Sequence, residues 1–267
     1  MRRLFFLIFI SVSFFDLSAQ QININPSIVE FHLQNIGSSE TQVITITNNS
    51  SKTQSFEVSL GDWNRKVDGA HDYFKPNTKP YSCASWLTFD KNFIEIPAGK
   101  SGEITLTMQA PNNGQELESM KWAMLFIQGA NLKKPITNGP NEAKASIQEI
   151  IRMGIHVYQT PPSLMEPSAK AISLLPVKEN KRMYNFEIEN NGKIMITGRS
   201  HLEITNLTNS QETTTEAKEF PVFPGGKRVI PLEIPATIKP GKYSILAVLD
   251  YGENASLEAI EKTIEIK

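Results

Sequence analysis

The chain has 267 residues, a formal net charge of −1, 40% hydrophobic residues and 21% charged ones. That length suits one large domain or two of ordinary size. Near-neutral charge, with lysines and arginines scattered rather than clustered, argues against a nucleic-acid partner, and the one cysteine, Cys83, excludes an internal disulfide framework.

The opening segment "MRRLFFLIFISVSFFDLSAQ" has a basic start, Arg2 and Arg3, and an apolar run from Leu4 to Phe15 interrupted by Ser11 and Ser13. It closes on Leu17-Ser18-Ala19, a small-residue cleavage signal. The run is short for a bilayer span, which needs roughly 20 apolar residues. Residues 1–20 therefore read as a cleaved secretory signal. No second long apolar segment follows, so no membrane span is expected in the mature chain.

Short β-type segments then recur between turn signals: "SIVEFHL", "TQVITITN", "QSFEVSLGDW", and two more within "WLTFDKNFIEIPAGKSGEITLTMQAP". A short helix is expected near Leu117. "KWAMLFIQGA" is apolar at nearly every position, as suits a strand buried on both faces. After the polar run "GANLKKPITNGPNEAKAS" comes a strand from Ser146 to Tyr158, in which Ile151, Met153, Ile155 and Val157 alternate with Arg152, Gly154, His156 and Tyr158. The stretch "TPPSLMEPSAKA" marks a boundary. Beyond it "RMYNFEIENNGK", "SHLEITNLTNSQ", "KEFPVFPGGKRVIPLEIP" and a closing hairpin repeat the β pattern. The expected fold is all-β, two tandem immunoglobulin-like sandwiches over residues 21–160 and 168–267. A weak internal repeat supports this: each half has a strand, an Asn-rich turn ("NNSSK", "NNGK"), a second strand, and later a Pro-Gly turn ("PAGK", "PGGK") leading into another.

The motifs for chemistry are sparse. His32, His71, His156 and His201 lie on separate segments with no zinc spacing. Asp62, Asn64, Asp68 and Asp72 in "GDWNRKVDGAHDY" lack the alternation and terminal glutamate of a calcium loop. Cys83 has no base beside it and reads as a filler near Trp86. Trp63, Trp86 and Trp122 read as core. No catalytic residue, metal or cofactor is expected.

Several stretches resemble the amino-terminal domain of periplasmic pilus-assembly chaperones of the PapD type: "TQVITITNNSSKTQSFEV", "SCASWLTFDKNFIEIPAGKSGEITLTMQAP", "ESMKW" and "IIRMGIHVYQTPP". The second half looks more like WxL-interacting surface proteins. The first resemblance implies a periplasmic chaperone or assembly factor for pilus- or fimbria-type surface subunits, working by β-strand addition without nucleotide. Its client-binding strand would be Ile151, Arg152, Met153, Ile155 and Val157, the apolar members filling a groove in the client. Two departures accompany it. The family's basic pair for a client carboxylate finds no partner in "NPSIVEFHL", and its second member falls at Met153, with Arg152 alongside. A non-enzymatic adhesion or scaffolding component of the envelope is the second reading.

Overall fold

Period-two alternation of apolar and polar residues is what makes the chain pair as sheets rather than coil into helices. The computed structural model describes residues 21–130, 150–163, 166–252, 255 and 257–267. Residues 1–20, and Ser146 to Glu149 of the expected docking strand, lie outside these.

The first sandwich is built from two sheets. One orders β1 (Ile22–Asn25), β3 (Ser39–Asn48), β8 (Ser101–Gln109) and β6 (Leu87–Phe89). The other orders β2 (Ile28–Phe31), β10 (Arg152–Gln159), β9 (Lys121–Gly129), β4 (Gln54–Arg65) and β5 (His71–Phe74), with β7 (Phe93–Ile96) also on β4. The second sandwich has β11 (Ala169–Val177), β12 (Asn180–Asn190) and β16 (Lys227–Glu233) facing β14 (Glu212–Thr214), β13 (Ile196–Asn206), β17 (Gly241–Asp250) and β18 (Glu258–Ile266), with β15 (Lys218–Val222) on β13. The fold class is thus the one read from the sequence. Near Leu117 the chain makes a 3-10 turn, Gly114–Glu118, rather than an α-helix.

Each sandwich closes over its own core. Ile44, Ile46, Ile104, Leu106, Ile155 and Val157 belong to the first. Phe186, Ile188, Leu202, Ile204, Ile245 and Leu249 belong to the second. Leu, Ile and Phe side chains removed from water in this way contribute about 1.5–3 kcal/mol apiece.

The internal repeat has a physical counterpart in two wholly buried asparagines, Asn48 and Asn190. Asn48 Nδ2 donates to the carbonyls of Lys52 (2.8 Å) and Ile96 (2.9 Å), while its Oδ1 accepts from the Ser50 amide (3.0 Å). Asn190 Nδ2 donates to Ile194 (2.8 Å) and Val222 (2.7 Å), and its Oδ1 accepts from Gly192 (2.9 Å). Their main chains hold the two Pro-Gly turns in the same way: the Gly99 amide donates to Asn48 O and the Gly225 amide to Asn190 O, both at 2.8 Å. Those glycines have φ of +67° and +70°, a conformation that disfavours any Cβ. One side chain in each sandwich therefore ties a strand end to a turn that lies 48 residues on in the first and 32 in the second.

Removing that side chain takes two donors and an acceptor out of a buried turn in each sandwich. Asn48→Ala and Asn190→Ala should each cost about 2–4 kcal/mol, read as a shift in the urea unfolding midpoint. A loss below about 0.5 kcal/mol at both positions would mean the turns hold without them.

Candidate functional site

Strand β9 explains the site's surroundings. Every residue from Trp122 to Ile127 is buried, so both faces of its sheet are covered. The inward residues Ala123, Leu125 and Ile127 enter the core. The outward ones, Trp122, Met124 and Phe126, join Trp63, Tyr158 and Phe223 in a separate cluster. Phe223 comes from the second sandwich, with its ring 5.0 Å from Trp63 and 4.9 Å from Trp122. The two indoles are also bonded across the strands, Trp63 Nε1 to Ala123 O (3.0 Å) and Trp122 Nε1 to Trp63 O (2.9 Å). All three tryptophans are buried, and the ring of Trp122 stacks on Tyr81 at 4.0 Å.

The β4–β5 hairpin lies over the same face. At its tip the Val67 carbonyl accepts from the Val229 amide of the second sandwich (2.8 Å). Gly69 has a φ of +96°, which favours glycine, and its Cα faces the Arg228 guanidinium of the second sandwich. The hairpin also carries the acidic residues of the calcium-like sequence and disperses them. Asp62 is wholly buried and accepts from the Thr78 and Lys79 amides (2.8 and 3.0 Å) and the Ser82 hydroxyl. Asp68 accepts from the Ala70 amide (2.9 Å), and Asp72 pairs with Lys66 (3.1 Å).

Strand β10 runs antiparallel to β9 along its whole length, from Arg152 opposite Gln128 to Gln159 opposite Lys121. On its other side β2 pairs in parallel only from His156 to Gln159. The His156 amide donates across that edge to Ser27 O (3.1 Å), whereas Ile151 O accepts from Gly129 on the β9 side (2.9 Å). Main-chain groups alternate along a strand. The N–H and C=O of Arg152 and Gly154 therefore point the same way as those of His156, past the end of β2. Among the described residues nothing pairs with this stretch of edge.

The expected docking residues divide accordingly. Ile151 is 61% exposed and precedes the strand. The Arg152 guanidinium lies over the Phe126 ring, 3.4 Å from its centre. Met153 is half-buried against the core, pointing inward where the basic register had been placed. Ile155 and Val157 are 1% and 0% exposed. The expectation that these two reach a client is corrected: they already fill the core of their own sandwich and have no surface left to lend. The accessible apolar side chains here are Ile151 and its neighbour Ile150, with Met153 at the margin.

One association was not legible in the sequence. His71 and His156, 85 residues apart, meet at 3.4 Å between their Nε2 atoms. Burial lowers both pKa values, His156 to about 4; the like charge of His71 and that of Arg65 add to the shift at His156. Burial likewise raises Tyr158 to about 12 and pushes the Cys83 thiol well up.

A model of the Fn3-like domain family matches residues 31–128, within the first sandwich. No curated protein matches the sequence. Among solved structures, a chain of the chaperone–tip adhesin complex of CFA/I fimbriae biogenesis is similar over 91% of this chain and 98% of its own, at 11% identity and a TM-score of 0.50. A chain of the CsuC–CsuE chaperone–tip adhesion subunit pre-assembly complex from Csu pili of Acinetobacter baumannii has the same coverages, 12% identity and a TM-score of 0.49. The first likeness extends through both sandwiches, and the chain shares the fold of PapD-like fimbrial chaperones. Identity this low speaks to the fold alone.

The half-buried histidines give a pH dependence with a defined sign. An imidazole whose folded pKa lies below its ordinary 6.5 leaves the unfolded chain with more bound protons between the two values. Stability is therefore full above pH 6.5 and falls as pH drops toward about 4. His156→Gln should flatten this fall in urea titrations between the two pH values. A slope unchanged in the variant would assign the acid loss to other groups.

Proposed function

We propose that this protein is a non-enzymatic periplasmic chaperone or assembly factor that binds subunits of a pilus- or fimbria-type surface structure by β-strand addition. One observation carries the reading: β10 presents the unpaired main-chain groups of Arg152 and Gly154 on an edge that β2 leaves open among the described residues. An added strand would complete those hydrogen bonds, and Ile150, Ile151 and Met153 would supply apolar contact beside them. The shared fold and the signal-like leader support the same compartment and class of work. A binding edge needs no cofactor or nucleotide; the client's own folding drives it.

The second reading, an envelope scaffold that keeps its partner, is favoured by how short the open edge is: four residues, Arg152 to Ile155, lie beyond the reach of β2, and only Arg152 and Gly154 turn their main-chain groups outward.

The test uses Arg152→Pro. It removes one N–H from the open edge and leaves the ladder to β9, formed by the alternate residues, in place. After mild cross-linking in the native host, wild type should retain incomplete β-sandwich subunits and the folded variant should lose them. Addition of such a subunit should also slow hydrogen exchange at the Arg152 and Gly154 amides. Subunits held equally by the variant, with no protection at those amides, would overturn the reading. Partners that depend on the edge but never transfer to a growing fibre would select the scaffold.

A further inference from the structure

The pair formed by His71 and His156 is used by neither the core nor the proposed binding edge. The rings are fixed by aromatic packing. His71 stacks on Tyr73 at 5.9 Å with 9° between planes, and His156 packs edge-to-face with Trp63 at 4.5 Å. Their supporting strands are fixed too, β5 by its ladder to β4 and β10 by its ladder to β9. Both rings remain partly open to solvent. The Nε2 atoms are thus presented to each other at 3.4 Å by elements that do not depend on their contact.

That separation matches a chelate. Two imidazole nitrogens, each about 2.0–2.1 Å from one tetrahedral ion, lie about 3.3–3.4 Å apart. A metal binds only neutral imidazole, and burial keeps both rings in that form at neutral pH. We infer that His71 and His156 form a two-histidine site for a divalent late transition-metal ion of the zinc type, joining the β4–β5 hairpin to strand β10. Imidazole suits such ions, whereas magnesium and calcium take oxygen ligands. Among the described residues no third His, Cys, Asp or Glu joins the pair, so water completes the ion's shell. The Arg65 guanidinium, whose Nη1 donates to Gly69 O (2.9 Å), is the nearby opposing charge and limits the affinity. The ion would fasten the hairpin whose tip is bonded to the second sandwich, so its binding should stiffen the junction between them.

The experiment is titration of the purified protein with Zn2+ alone by calorimetry, with Co2+ as the visible probe of tetrahedral geometry. The expected result is one saturable equivalent, a Co2+ spectrum of the tetrahedral type, and a higher unfolding temperature with Zn2+. His71→Gln and His156→Gln should each weaken binding by at least about tenfold, the lower range for disturbing a metal's surroundings. His201→Gln, at a histidine whose neighbour is Glu203, should leave it unchanged. His71 lies on the solvent side of the pair, so its variant decides the question even if His156→Gln fails to fold. Absence of Zn2+ binding, or binding that folded His71→Gln retains in full, would overturn the site.

Discussion

Everything distinctive about this molecule follows from burying a sheet on its outer face as well as its inner one. The outer surface of β4, β9 and β10 carries Trp63, Trp122, Met124, Phe126 and Tyr158, too much apolar area to leave in water. Two covers meet the need. The chain's own hairpin folds across one end, and Phe223 of the second sandwich enters the middle. The reciprocal indole bonds to backbone carbonyls satisfy the only polar atoms of the two tryptophans, which lets them be buried at no hydrogen-bonding cost. The two sandwiches are consequently joined through aromatic packing rather than through charge. Among the described residues the ion pair across the junction, Lys193 with Glu118 at 3.4 Å, is exposed and contributes little.

This arrangement also explains why an edge left unpaired among the described residues is tolerable where it occurs. Open edges invite uncontrolled pairing. Here β2 shields the far half of β10, and the near half is guarded by Arg152, whose charge is anchored over Phe126 instead of roaming. The edge is short, charged and flanked by a side chain held in place. Those features discourage indiscriminate stacking.

The sequence carried most of the fold because alternation and turn chemistry are local. Val43 to Thr47, Phe56 to Leu60 and Tyr184 to Ile188 each show their burial directly in the residue order. The buried role of β9 was legible for the same reason. Five strands were not. β1 has only the four residues "ININ", β5 reads as an acidic turn, β6 and β14 have three residues each, and β11 carries Pro176 and an irregular register that interrupt its alternation. The site was legible as a strand but not as an edge. Periodicity cannot say whether Ile155 and Val157 face their own core or a partner's, since the same alternation serves both. The meeting of His71 with His156, and of Phe223 with Trp63, depends on how distant segments fold over a shared face. No spacing records that. By contrast, the twin "NN" turns hinted at a duplication that Asn48 and Asn190 make concrete, bond for bond.

Cys83 gives the architecture a last property. Its sulfur is wholly enclosed beneath the first sandwich, and enclosure keeps it protonated and unreactive. Only a chain whose sandwich has opened presents a thiol to oxidants or to neighbouring thiols. The residue therefore acts as an internal witness. Molecules acquire sulfur modification in proportion to the time each has spent unfolded, and an oxidised, charged sulfur has no place in the closed core, so the modified chain is barred from returning to it.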